Sequence, residues 1–209
     1  TVGLPKHDAL LYRIKGDDID LDTELEELLT TIRANGAQRI IFYGPPFRPD
    51  GSDPLPLINL QELDAVLQET NDVMVISLHP KFSMKDWIPK EALRNIHFSQ
   101  GDYDRYPILN MFDLLITDYS SLSIDFLLMG KPVILFAYDI EKYKKEMGIY
   151  DELWDIMPGP KVYTFNDLLT SLTSDLTEYI EKIPATQQKL FDATDGKSAE
   201  RITQAILTE

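Results

Sequence analysis

The chain has 209 residues, a formal charge of −15, 44% hydrophobic and 10% aromatic residues. That length suits one globular domain with a substantial core, and the acidity argues against wholesale binding to nucleic acid or anionic lipid, which reward basic patches. The absence of cysteine excludes disulfides and thiolate chemistry, and no apolar run reaches the ~20 residues of a membrane span.

No basic segment followed by an apolar one marks a signal peptide. With Thr1 in place of Met, the chain is expected to be a piece of a longer protein. Gly3-Leu4-Pro5-Lys6-His7-Asp8 opens with a Gly-x-Pro turn, after which His7 is either functional or merely exposed. Leu21, Leu25, Leu28, Leu29 and Ile32 recur at helical spacing, and Asn35-Gly36 ends that helix. The acids around it, Asp17, Asp18, Asp20 and Glu24 to Glu27, read as solvated faces. Arg39 to Tyr43 is a buried strand, Leu57, Leu60, Leu63 and Leu67 are helical, and Val73 to Ile76 is the next strand. A weaker strand holds Asn95 to Phe98, with His97 read as structural. Leu114 to Ile116 and Pro132 to Phe136 follow, separated by a helix from about Ser121 to Met129. Lys161 to Tyr163 adds an edge strand. Phe165 to Thr208 reads as helical, with interruptions near Pro184 and Asp195-Gly196.

This alternation predicts an α/β fold: a Rossmann-like, mostly parallel sheet with helices on both faces. Without a repeat or a linker, residues 1–209 form one domain, ending in a helical segment from about 165 to 209.

In such a sheet ligands lie outside the carboxyl ends of the strands, so the segments after the strands carry the functional reading. They are Gly44-Pro45-Pro46-Phe47-Arg48, Ser77-Leu78-His79-Pro80-Lys81, Thr117-Asp118-Tyr119-Ser120-Ser121 and Ala137-Tyr138-Asp139. Arg48, His79 and Lys81 would then put positive charge on one rim. Ser120 and Ser121 stand where a helix begins, which makes a natural phosphate seat. Taken singly, each has a plainer reading. A serine there can simply be a helix cap worth about 1 kcal/mol, Arg48 and Lys81 can be surface charges, and Asp118 can bond its own turn. Asp125 either favours the helix dipole or bonds a ligand hydroxyl. Gly159, between two prolines, marks either a close approach to a ligand or a loop corner. No HExxH, EF-hand, GxGxxG or GxxxxGK[ST] pattern occurs, which argues against those metal and nucleotide sites.

Taken in order, Gly3-x-Pro5-Lys6-x-Asp8, Tyr43-x-Pro45-x-Phe47-Arg48, His79-Pro80, Thr117-Asp118-Tyr119-Ser120-Ser121, Asp125, Lys131-Pro132, Tyr138-Asp139 with Tyr143, Pro158-Gly159-Pro160 and Asp195-Gly196-Lys197-x-x-x-Arg201 form a set. With it the chain resembles the C-terminal half of the CDP-glycerol glycerophosphotransferases, the teichoic-acid polymerase and primase group. The resemblance implies the donor-binding half of a GT-B architecture, with an acceptor domain upstream and outside this chain. It implies a substrate, CDP-glycerol or a related CDP-polyol, with no cofactor and no metal, and a polymer or lipid-linked acceptor. His79 takes the catalytic role, and Ser120 and Ser121 hold the pyrophosphate. Arg48, Lys81, Asp118, Tyr119, Asp125, Asp139 and Gly159 complete the donor rim, with Lys6, His7, Asp8 and Gly44 as further candidates. The general base would sit on the acceptor domain, so this chain is expected to bind donor without turning it over. The implied location is the cytoplasm, peripheral to the inner face of the bacterial membrane through the rest of the protein. Lys6, His7 and Pro46 stand where the family usually has Arg, Asn or Thr, and Thr, which leaves a related polyol phosphate or a sugar phosphate open as donor group. Two readings compete: a UDP-sugar glycosyltransferase or epimerase of the same architecture, and a phosphoreceiver with Asp118 as acceptor. The second lacks the acidic pair that receivers carry after their first strand.

Overall fold

The structure is a computed structural model that describes residues 2–13, 16, 19–46, 48, 55–77, 92–99 and 103–208. Its sheet has six strands: β1 (Ile40–Tyr43), β2 (Val73–Ser77), β3 (Ile96–Ser99), β4 (Leu114–Thr117), β5 (Val133–Phe136) and β6 (Lys161–Val162). Every neighbouring pair is parallel, in the order β3-β2-β1-β4-β5-β6.

Strands β1, β4 and β5 are buried at every position because both faces are covered. Ile40, Phe42, Val75, Leu115, Val133 and Leu135 point into one core; Ile41, Tyr43, Met74, Ile76, Leu114, Ile116, Ile134 and Phe136 point into the other. The first core is closed by Leu10 of α1 (Asp8–Leu11), Leu25, Leu29 and Ile32 of α2 (Thr23–Ala34), Phe126 to Leu128 of α4 (Leu122–Leu128), Trp154 of α6 (Asp151–Ile156) and Ile183 of α8 (Thr177–Leu190). The second lies under Leu60, Leu63 and Leu67 of α3 (Leu60–Thr70) and Leu168 and Leu172 of α7 (Phe165–Thr173). Two further helices, α5 (Ile140–Glu146) and α9 (Ser198–Leu207), complete the described set.

Local chemistry sets the helix ends. Asp22 accepts from Leu25 N at 3.1 Å and starts α2; Asn59 accepts from Glu62 N at 3.2 Å and starts α3. The expected stop at Asn35-Gly36 is present, with Gly36 at φ +86°. The expected break at Pro184 is absent. Helix α8 runs through it with Pro184 on the exposed face, where water can take the carbonyl that proline leaves free. The break falls instead before α8, where the Asp175 carboxylate accepts from Thr177 N at 2.9 Å and from its hydroxyl at 2.6 Å.

The order of strands reverses between β1 and β4. The chain leaves β1 toward β2 and β3 on one side, and leaves β4 toward β5 and β6 on the other. Loops after these two strands diverge and leave a crevice at their carboxyl ends, the usual ligand position in open parallel sheets.

Candidate functional site

The carboxyl ends of β1 and β4 are tied together. Gly44 N donates to Ile116 O at 3.1 Å, and Thr117 Oγ1 donates back to Gly44 O at 2.8 Å. Above them lies Arg48, only 3% exposed. Its Nε donates to Asp139 Oδ2 at 2.8 Å and its Nη2 to Asp139 Oδ1 at 3.0 Å. The same Nη2 also bonds Asp118 Oδ2. Tyr119, Tyr138 and Tyr143 surround the guanidinium at 5.2, 5.6 and 4.8 Å. Tyr119 stacks on Tyr143 with centroids 3.9 Å apart and donates its hydroxyl to Asp139 Oδ1 at 3.2 Å. Charges so far from water are tolerated only when fully bonded. Burial opposes ionisation of Arg48, but its bonds to Asp139 and Asp118 outweigh that, and its pKa lies above the ordinary value. Burial dominates at Asp118 even with Arg48 beside it, and pushes its carboxyl up to about 6.

The turn after β4 is held from within. Asp118 Oδ1 accepts from Tyr119 N at 2.6 Å, Ser120 Oγ accepts from Leu122 N at 3.2 Å, and Ser123 Oγ donates to Ser120 O at 2.7 Å. Ser120 therefore does the capping, while the exposed Ser121 makes no capping bond and keeps its hydroxyl for other partners. A cavity of about 360 Å³ opens beside this turn, walled by Ile124, Tyr143, Tyr150, Leu153 and Trp154. The sequence reading quoted Tyr143 but missed Tyr150 and Trp154, and the aromatic wall comes from α5, the residue before α6 and α6 itself. The signal available was the run Tyr138, Tyr143, Tyr150 and Trp154 after the fifth strand.

The structure brings Gly44, Arg48, Asp118, Tyr119, Ser120, Ser121 and Asp139 to the switch point. His79 and Lys81 lie outside the described residues, as does Phe47. Arg48 is not the open cation that was expected, because two carboxylates already occupy it. Asp125 is 3% exposed and receives Lys6 Nζ at 3.2 and 3.3 Å, with His7 Nε2 3.2 Å away. His7 is buried rather than exposed, and burial lowers its pKa despite the neighbouring Asp125. Asp8, a further candidate for the donor site, caps α9, accepting from Ser198 N at 3.0 Å and Ala199 N at 2.9 Å. Gly159 also departs from the rim. A Cβ there would collide with the carbonyl oxygen of Val133, at the amino end of β5, so this glycine admits strand backbone rather than a ligand. The Gly3-to-Asp8 and Asp195-to-Arg201 motifs join the two ends of the chain: Arg201 forks onto Asp195 at 2.8 and 2.9 Å and donates to Val2 O at 3.1 Å. Among the described residues, no group of three or more His, Asp or Glu side chains could hold a metal ion, and no helix is long and apolar enough to cross a membrane.

Residues 1–208 match the family described as CDP-glycerol:poly(glycerophosphate) glycerophosphotransferase. The chain belongs to this family. Its relatives include the teichoic acid ribitol-phosphate polymerase TarK of Staphylococcus aureus, 29% identical over 98% of this chain and 39% of the relative. The teichoic acid poly(glycerol phosphate) polymerase of Staphylococcus epidermidis is 29% identical over 98% of this chain and 29% of its own length. Among solved structures, the wall teichoic acid polymerase TagF superposes with a TM-score of 0.74 at 25% identity, covering 100% of this chain and 51% of TagF. The chain thus spans well under two thirds of the length of each of these relatives. A UDP-GlcNAc 2-epimerase from Neisseria meningitidis shares the fold alone, with a TM-score of 0.61 at 16% identity over 100% of this chain and 55% of the epimerase. The strand order also separates this fold from phosphoreceivers, whose order is 2-1-3-4-5.

Proposed function

We propose that this chain is the donor-binding domain of a CDP-polyol phosphotransferase, one half of a GT-B enzyme whose acceptor domain precedes it. The observation that carries this reading is the coincidence of the family match over residues 1–208 with the position of the Asp118–Ser121 turn at the switch point of the sheet. A TagF variant has been soaked with CDPG, and that structure superposes on this chain with a TM-score of 0.72 at 26% identity.

In the proposed step an acceptor hydroxyl oxygen attacks the phosphorus on the polyol side of the pyrophosphate. The bond from that phosphorus to the bridging oxygen breaks, and CMP leaves with the electron pair. The acceptor's proton passes to a base on the other domain. Charge builds on the departing phosphate, where the Ser121 hydroxyl, the amides of Ser120 and Ser121 and a protonated His79 would meet it. This scheme calls for no metal. The reading places the chain in the cytoplasm or at the inner face of the membrane.

Isothermal titration with CDP-glycerol, CDP-ribitol and a UDP-sugar tests the reading. Saturable binding of a CDP-polyol, with the UDP-sugar much weaker, is expected; preference for the UDP-sugar would replace it with the glycosyltransferase reading. His79→Ala should weaken CDP-polyol binding, and an unchanged affinity would remove His79 from the site.

A further inference from the structure

Three rim segments meet at one side chain. Arg48 comes from the loop after β1, Asp118 from the turn after β4, and Asp139 from the turn after β5. The contacts close a ring: Arg48 to Asp118, Asp118 to the Tyr119 amide, the Tyr119 hydroxyl to Asp139, and Asp139 back to Arg48. All three guanidinium nitrogens are engaged, since Nη1 also donates to Pro46 O at 3.4 Å. A phosphate could reach Nε or Nη2 only by displacing a carboxylate from its cation, which is strongly unfavourable. Nη1, whose second N–H is uncommitted, is shielded with the rest of a side chain that is 4% exposed.

We propose that Arg48 is a positioning residue: it locks the Asp118–Ser121 turn to Asp139, and an anionic ligand's fit to that turn depends on Arg48 without touching it. Lysine cannot replace it, because a single ammonium lacks the planar fork that serves two carboxylates at once. The ligand part of this inference rests on the donor reading above; the locking of the turn does not.

The test uses the 209-residue chain with Arg48→Lys, and with Arg48→Met/Asp118→Asn, which removes one of the two carboxylates that Arg48→Met alone would strand. Hydrogen exchange should rise about tenfold or more at the amides of residues 119–123 in both variants, while β1 and β4 amides follow global stability only. Equal acceleration across the sheet, or none at the turn, would overturn the proposal. CDP-glycerol affinity should fall about tenfold in Arg48→Lys, with the same dependence on salt as the parent. A flatter salt dependence in the double variant would mean that Arg48 contacts phosphate, and would also overturn it. Failure of the unmodified chain to bind CDP-glycerol would sink the donor reading, and the exchange measurement would still decide the role of Arg48.

Discussion

At the residue scale, one buried cation faces a buried carboxylate, Asp118, and a partly buried one, Asp139, so the Arg48 cluster carries a net negative charge when fully ionised. Asp118 responds to this. Its pKa in the folded chain, about 6, lies above the ordinary 3.8, so between those values the folded state binds more protons than the unfolded one. The sign follows: the stability Asp118 gives is complete below about pH 3.8 and is lost as pH rises through about 6. The full difference amounts to about 3 kcal/mol at 1.36 kcal/mol per unit. Asp118→Asn removes this dependence. Urea denaturation of parent and variant should show the variant gaining stability relative to the parent from pH 4 to pH 7, by up to about 3 kcal/mol. A difference that stays flat across that window would show that Asp118 is not held out of its ordinary range.

At the element scale, the ends of the chain are bound by side chains from the first turn. Asp8 holds two of the free amides at the start of α9, and loss of such a cap costs about 0.5–2 kcal/mol. Asp8→Ala should loosen α9 and open the 191–197 segment to limited proteolysis, leaving the sheet intact; unchanged protection of α9 would mean that its packing alone suffices. Gly159→Ala should cost about 1–3 kcal/mol through overpacking against β5, with CDP-polyol affinity unchanged because the collision lies at the far end of the sheet from the rim. These same elements mark what was legible in the sequence. The central strands were readable because a sheet buried on both faces needs unbroken apolar runs, and α2 and α3 because their leucines repeat at helical spacing. Helices α5 and α6 gave no comparable stripe: α5 buries no residue and α6 buries only Trp154. Pro184 misled because proline acts on one hydrogen bond, while the break before α8 is set by the Asp175 carboxylate. At the site, the strand ends pointed to the segments that bring Gly44, Arg48, Asp118, Tyr119 and Asp139 together, but not to the pairing of Arg48 with Asp118. Those residues are 70 positions apart, and only the strand order brings them together.

At the scale of the whole molecule, the question is which group could take the proton from an attacking hydroxyl. Three carboxylates lie near the Ser120–Ser121 turn, Asp118 and Asp125 buried and Asp139 partly so, and each is ion-paired. Asp118 and Asp139 hold Arg48, and Asp125 holds Lys6 and His7. A general base must lie within reach of the proton it removes, and these carboxylates are committed to their cations. In-line displacement further requires the acceptor to approach from the side opposite the departing CMP, which in the proposed architecture belongs to the preceding domain. The chain should therefore bind CDP-glycerol saturably but release no CMP, with or without a glycerol phosphate acceptor, and release should begin only when the preceding domain is supplied. Following CMP formation by chromatography checks this directly. Acceptor-dependent CMP release by the 209-residue chain would place the base within it. Asp118→Asn and Asp125→Asn would then be the first variants to assay, because the rim would have to free one of these carboxylates during turnover.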